Sequence, residues 1–272
     1  MSISLQDWIG RTTESEDILT PRLAQSFRAV FGSNLAAPQD LLGIHWCLAP
    51  EIAPIEKLQG DGHVTTGGFL PPMNLPRRMW AGSDVQFLAP LSVGDKIKRT
   101  SRVAEIVEKT GKTGPLCFVK VHHDIENQHG PVISEDQTIV YREAATGMVK
   151  ATPSNKVVAA HQHAVAIDPV LLFRYSAITF NGHRIHYDAP YATDVEHYSG
   201  LVIHGPLQAT LLLNLARKFG PSAPKYFSFR GVSPAMDAQH LQICAEALQG
   251  HVMKLHVESA DGVTTMTGEA LW

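Results

Sequence analysis

Residues 226–234, Tyr-Phe-Ser-Phe-Arg-Gly-Val-Ser-Pro, open a segment that continues as three alternating runs at 241–247, 252–259 and 264–272. Alternation with period two gives each run one core-facing side, and Gln249-Gly250 and Asp261-Gly262 between them are hairpin residues. The segment reads as an antiparallel meander. A second stretch repeats it: Asp-Val-Gln-Phe-Leu-Ala-Pro at 84–90, then runs around 101–107, 116–123 and 137–141, with turns at 109–111 and 127–130. In both copies a proline, Pro90 or Pro234, is followed seven residues later by an apolar position, Ile97 or Leu241. The pattern is that of an internal duplication.

Between the copies, the stretch around Ala144-Ala-Thr-Gly147 and Ala151-Thr-Pro-Ser-Asn155 has little apolar periodicity. It divides the chain into an N-terminal domain at 1–145, a linker at 146–165 and a C-terminal domain at 166–272. Helical stretches precede the meanders. Thr20-Pro21 starts one, with Leu23, Phe27, Val30 and Phe31 on one side and Gly32 at its end. A second region, 41–58, contains Pro50 and Pro54 and is expected to be short or broken. In the C-terminal half, Gly205 fits an N-cap and Pro206 the first helical position. Leu207, Leu211, Leu212, Leu213 and Leu215 make this helix apolar on most sides, Arg217 and Lys218 suit its C-terminal end, and Gly220-Pro221 stops it. A buried helix follows, and its first amides have no partner within the helix, so its start suits an oxygen that is gaining negative charge.

At 272 residues with 44% hydrophobic content the chain has ample material for packed cores, and a net charge of −3 gives no nucleic-acid footprint. Three scattered cysteines, Cys47, Cys117 and Cys244, suit neither a disulfide framework nor a thiolate metal site, and a reducing cytoplasm is the expected setting. Residues 1–17 are mixed and polar, and no window is long and apolar enough for a membrane helix, so neither a signal peptide nor a span is expected.

Chemistry concentrates in Phe180-Asn-Gly-His-Arg-Ile-His-Tyr-Asp188. Residues 168–180 read as an apolar, β-branched approach to a turn at Asn181-Gly182. The imidazole of His186, with an ordinary pKa of about 6.5, can both take and return a proton near neutral pH. Asn181 cannot act as a base, but its amide can orient a water or a substrate group. His183, His186, His197 and His204 invite a metal reading, but they come with no cysteine and little carboxylate support, so neither a metal nor another cofactor is expected.

This run, with Tyr191-Ala192 and Gly200-Leu-Val-Ile-His-Gly-Pro206, resembles the MaoC-like hot-dog hydratases and dehydratases. In that motif an Asp lies five positions before the catalytic His; here Asn181 takes the Asp position, His183 and Arg184 replace Asn-Pro, and His186 is the catalytic His. Phe173-Arg-Tyr-Ser-Ala-Ile-Thr-Phe180 before it, and Leu75-Pro-Arg-Arg-Met-Trp-Ala-Gly82, are similar to a narrower subgroup. That subgroup holds mesaconyl-CoA or itaconyl-CoA hydratases and mitochondrial-type 3-hydroxyacyl-thioester dehydratases.

The resemblance implies an α+β double hot-dog fold, two antiparallel sheets each wrapped around a helix and joined as a fused pseudo-dimer, with the N-terminal half degenerate. It implies a hydro-lyase acting on an acyl-CoA thioester bound in a tunnel at the junction, and a homodimer. On this reading His186, Asn181 and the amide of Gly205 are catalytic, the imidazole and the amide facing one acyl carbonyl from opposite sides. Arg174 or Arg184 would bind the free carboxylate of a dicarboxylic acyl chain, and Arg77 and Arg78 the phosphates of the CoA arm. Trp80 and His204 complete the candidate substrate contacts. Alternatives are a 3-hydroxyacyl dehydratase served by acyl carrier protein, a hot-dog thioesterase, and a non-catalytic acyl-CoA-binding subunit.

Overall fold

A computed structural model describes residues 4–37, 39–111, 114–144, 159–237 and 240–272. In chain order the elements are β1 (Thr12–Ile18), α1 (Pro21–Phe31), β2 (Arg77–Phe87), β3 (Lys96–Gly111), β4 (Gly114–Asn127), β5 (Gly130–Arg142), β6 (His161–Ala166), α2 (Pro169–Thr179), α3 (Gly205–Phe219), β7 (Tyr226–Gly231), β8 (His240–Ala245), β9 (Val252–Glu258) and β10 (Thr264–Leu271). The six alternating runs read from the sequence are β3, β4, β5, β8, β9 and β10.

All ten strands form one antiparallel sheet, in the order β1-β3-β4-β5-β2-β7-β10-β9-β8-β6. Read outward from the β2–β7 junction, both halves run first strand, fourth, third, second and then an added edge strand. The duplication therefore extends beyond the meanders. Each edge strand, β1 or β6, is followed by an eleven-residue helix that opens on a capped proline: Thr20 Oγ1 accepts from the Leu23 amide, and the Asp168 carboxylate from the Leu171 amide. These equivalent helices pack on each other, with Phe31 edge-on to Tyr175 at 5.9 Å.

Two readings change. Of the expected linker, residues 146–158 lie outside the described residues, and its last part pairs with β8 as β6. β1 and β6 are edge strands whose inward positions are mostly polar, Ser15 and Asp17 in one and His161 and His163 in the other, which is why neither stands out in the sequence. Residues 169–179 form a helix rather than an extended approach, because the Asp168-Pro169 cap outweighs the modest β preference of Val170, Ile178 and Thr179. The two sheets join as expected, and they do so through one ladder. β2 and β7 pair from Gly82↔Arg230 to Gln86↔Tyr226, and a side chain at Gly82 would put its Cβ 2.3 Å from the Phe229 carbonyl oxygen. Only glycine lets the two halves approach this closely.

The halves differ in what fills their sheets. In the C-terminal half α3 packs on β8, β9 and β10, and its leucines 207, 212 and 213 are fully buried, each contributing about 2 kcal/mol. Its buried polar side chains are matched: Gln208 Oε1 accepts from Thr265 Oγ1 at 2.7 Å, and Asn214 Oδ1 from the Ala36 amide at 3.2 Å. The N-terminal counterpart, 41–58, folds as two single turns of 3-10 helix, Ile44–Cys47 and Ile55–Lys57, as its prolines require. No described helix is long and apolar enough to cross a membrane.

Candidate active site

α2 ends where Phe180 turns left-handed (φ 52°), and the Asn181 amide bonds the Ser176 carbonyl at 2.9 Å. Asn181 Oδ1 then accepts from the His183 amide at 3.0 Å, an Asx turn that commits the side-chain oxygen and leaves the NH2 group to donate elsewhere. A single 3-10 turn, Arg184–His186, delivers the His186 ring into the interior. Its Nδ1 lies 2.7 Å from the Val202 carbonyl oxygen, which can only accept, so Nδ1 carries the proton and Nε2 keeps a lone pair. Burial pushes this imidazole down to about 4, so it is neutral at pH 7.

α3 begins one residue earlier than the cap pattern suggests. His204 is the N-cap, and Gly205 and Pro206 are the first two helical residues. The Gly205 N–H is consequently one of the amides with no carbonyl a turn behind it. A Cβ at Gly205 would lie 3.9 Å from the Trp80 carbonyl oxygen, so this helix start abuts β2 of the other half. His204 Nε2 is hydrogen-bonded to Ser176 Oγ at 2.8 Å, and its ring stacks on His186 at 3.7 Å. His186, Asn181 and Gly205 thus line one cavity of about 1980 Å³ between the halves. His204 links the two groups, with its ring stacked on His186 and its backbone leading into the Gly205 amide.

The remaining candidates distribute unevenly. Arg77 and Arg78 lie on the cavity wall, but Arg77 is buried in an ion pair with Glu196 at 2.7 Å and also bonds the Glu196 carbonyl. Arg78 has no ion-pair partner among the described residues. Trp80 forms part of the wall with its indole N–H on Ser83 Oγ at 2.9 Å and on the Gly82 carbonyl. Arg174 is exposed on α2, and Arg184 is spent on Asp188 at 2.7 Å, on the Gly60 carbonyl at 3.0 Å and on the ring of Tyr191. Neither is among the cavity-lining residues. His204 lies beneath His186 and is also not among the lining residues.

Sequence reasoning missed a segment of the N-terminal half. His63 lines the cavity with its ring 4.1 Å from that of His183, which in turn lies 5.4 Å from His186. Asp61 Oδ2 accepts from His63 Nδ1 at 2.8 Å, and Asp61 Oδ1 from the His63 amide at 2.9 Å. Burial acts to raise the Asp61 carboxyl, but its bonds to His63 hold it below the usual range. Burial lowers His63, His183 and His204. Donor atoms of Asp61, His63 and His183 fall within 4.8 Å of one another, with Asp61 and His63 joined by their hydrogen bond. The only sequence signal was Asp-Gly-His itself, set among turn residues at 60–68.

Residues 43–237 match the hydroxyacyl-thioester dehydratase type 2 (Htd2) family. The mesaconyl-C(4)-CoA hydratase of Chloroflexus aurantiacus is 40% identical over 266 residues, covering 96% of this chain and 95% of that protein. Among solved structures, a MaoC-like dehydratase from Phytophthora capsici superposes with a TM-score of 0.72 at 15% identity, covering 99% of this chain and 98% of that one. A Mycobacterium tuberculosis protein with a double hot-dog fold superposes with a TM-score of 0.58 at 13% identity, covering 97% and 96%. The duplicated sheet is thus a double hot dog, and the chain, a hydratase or dehydratase, belongs to the hydroxyacyl-thioester dehydratase type 2 family.

Proposed function

We propose that the chain adds water reversibly to a short 2-enoyl-CoA thioester bearing a second carboxylate, of the mesaconyl-CoA or itaconyl-CoA kind. The observation that supports this reading is the shared cavity: His186, Asn181 and Gly205 line it together, and the Val202 carbonyl on Nδ1 leaves His186 a lone pair on Nε2. Water held by the NH2 group of Asn181 gives a proton to His186 Nε2 as its oxygen bonds to the β-carbon. The C=C electron pair moves toward the α-carbon and the thioester oxygen, which the Gly205 amide meets. The α-carbon then takes the proton back from His186. General acid–base transfer of this sort supplies a factor of about 10² to 10⁴, and one donor to a developing oxyanion about 3 kcal/mol.

The dicarboxylic preference rests on the 40% identical relative and on Arg78, whose cation on the cavity wall is in no ion pair among the described residues. Run backward, the same steps dehydrate a 3-hydroxyacyl thioester, the reaction in the family's name. Three buried free thiols suit a reducing compartment such as the cytoplasm. The exposed side chains of Val170, Phe173 and Phe180 offer an apolar face to a second copy, so a homodimer belongs to this reading and light scattering tests it.

Loss of the conjugated enoyl-thioester absorbance with crotonyl-CoA and mesaconyl-CoA, alongside a free-thiol assay, tests the function. Hydration faster on the dicarboxylic substrate and no thiol release is the expected result. Thiol release without hydration would make the chain a thioesterase and end this account.

A further inference from the structure

Adding water to a double bond needs a place to hold the transferred proton, and the one carboxylate on the turn carrying His186, Asp188, is paired with Arg184 at 2.7 Å. Asn181 exchanges no proton, and its Oδ1 is occupied by the His183 amide. The N-terminal half supplies what is missing. Four imidazoles lie ring to ring, His63 on His183 at 4.1 Å, His183 on His186 at 5.4 Å and His186 on His204 at 3.7 Å. Only His63 among these four has a carboxylate on a ring nitrogen, Asp61 at 2.8 Å. With Nδ1–H given to Asp61, its Nε2 is the ring nitrogen left to accept a proton.

This placement is built rather than incidental. The Arg184 amide donates to the Asp61 carbonyl at 2.8 Å, and the Arg184 guanidinium to the Gly60 carbonyl at 3.0 Å. Gly62 sits at φ +93°, and a Cβ there would fall 1.9 Å from the Gly182 carbonyl oxygen. Two turns from different halves are therefore locked backbone to backbone, with Asp61 and His63 on one and Asn181, His183 and His186 on the other.

We infer that Asp61 and His63 form the proton-holding pair of the site, acting on the reaction through His183 and His186. The inference rests on the hydration reading and deepens it. As the oxygen–carbon bond forms, the water proton passes to His186 Nε2. His186 passes a proton toward His183, and the proton on the other ring nitrogen of His183 reaches His63 Nε2 through a water, because these two rings meet too face-on, at 4.1 Å and 41°, for a direct bond. The imidazolium rests against Asp61 while the electron pair of the double bond resides on the α-carbon and thioester oxygen. Return along the same path delivers the proton to the α-carbon, so the four side chains end as they began. Besides Asp61, the charged and titratable groups facing His63 are Arg78 and Glu51, with His183 and His186 beyond. Asp61 and Glu51 favour its cation, while Arg78 and burial oppose it.

The test is the pH profile of hydration in the full chain, with kcat and KM separated. His63→Gln and His183→Gln are expected to lower kcat about 10²-fold with KM little changed, and the double variant no further, since they act as one unit. Asp61→Asn is expected to move the acid limb of kcat to lower pH, because it removes the group that favours the His63 cation. Added imidazole is expected to restore part of the rate to His63→Ala. Thermal melts identify any variant that fails to fold, and the imidazole rescue of a folded His63→Ala then decides. His63→Gln retaining kcat within about threefold, a loss carried by KM alone, or an unmoved acid limb in Asp61→Asn would overturn the inference. So would a stoichiometric metal whose removal abolishes hydration and which His63→Gln does not retain. A wild-type chain that hydrates no enoyl thioester would sink the underlying reading instead, whereas an active wild type with a dead His186→Ala and a fully active His63→Gln would sink only this one.

Discussion

The imidazole of His204 lies flat beneath that of His186, centroids 3.7 Å apart and planes 20° from parallel. His204 is hydrogen-bonded on its far edge to Ser176, so α2, the His186 turn and the start of α3 meet in one stack. His186 is oriented twice, by this stack and by the Val202 carbonyl, and the residue that supports it is the N-cap of the helix offering the Gly205 amide. Base and anion site therefore move as one body.

Removing the base tests the core of the site. His186→Ala is expected to lower kcat for hydration by about 10² to 10⁴ while KM changes little. Ser176→Ala leaves His204 without its hydrogen bond and is expected to cost about 1–3 kcal/mol of stability with a smaller loss of rate. Steady-state kinetics and denaturant unfolding on the same preparations separate the two effects.

Stability should fall on mild acidification. His186 and His123 are pushed down to about 4, and His45 to about 3, mainly by burial, which opposes their charged forms. The folded pKa values lie below the unfolded value of about 6.5, so in that interval the unfolded chain binds more protons. The stabilisation is complete above about 6.5 and drains away as pH falls toward about 4. Melting temperature measured from pH 8 to 4 is expected to be flat at first and then to drop; a flat profile down to about 4 would mean these rings are not buried neutral.

Glycine substitutions separate contact from chemistry. Gly205→Ala places a methyl at ordinary van der Waals distance, 3.9 Å from Met266 and the Trp80 carbonyl, so the melting temperature should hold while crowding beside the amide lowers kcat. Gly62→Ala combines a positive φ with a Cβ 1.9 Å from the Gly182 oxygen, and the two locked turns must part. A loss of activity and of more than about 1 kcal/mol is expected, read by kinetics and thermal melts.

Arg78 and Arg184 make opposite predictions. A charge-assisted bond to substrate is worth about 1.5–3 kcal/mol, so Arg78→Ala should raise KM for mesaconyl-CoA about 10- to 100-fold and leave crotonyl-CoA nearly unchanged. Arg184→Ala removes only protein contacts and should treat the two substrates alike. Equal behaviour of Arg78→Ala on both would remove the carboxylate role from Arg78.

Legibility in the sequence followed burial. The meanders were readable because strands with one dry face must alternate, and α3 because a helix enclosed on all sides must be apolar throughout. α1 announced itself through Thr20-Pro21 and its apolar side. α2 carried the same kind of signal in Asp168-Pro169, but exposed Val170 and Phe173 blurred its periodicity. The edge strands β1 and β6 gave no apolar alternation to read, since their inward positions are filled mostly by polar side chains such as Ser15, Asp17, His161 and His163.

By itself the sequence determined the duplicated meander, the buried helix behind His204-Gly205-Pro206 and the turn that presents Asn181 and His186. Each of these is fixed by residues within a few positions of one another. Only the tertiary structure decided that Asp61 and His63 sit beside His183, that Arg78 rather than Arg184 lines the cavity, and that both halves share one ladder through Gly82 and Arg230. Those contacts join residues more than a hundred positions apart. They depend on backbone approach between turns and strands, which leaves in the sequence only a glycine where a side chain would not fit.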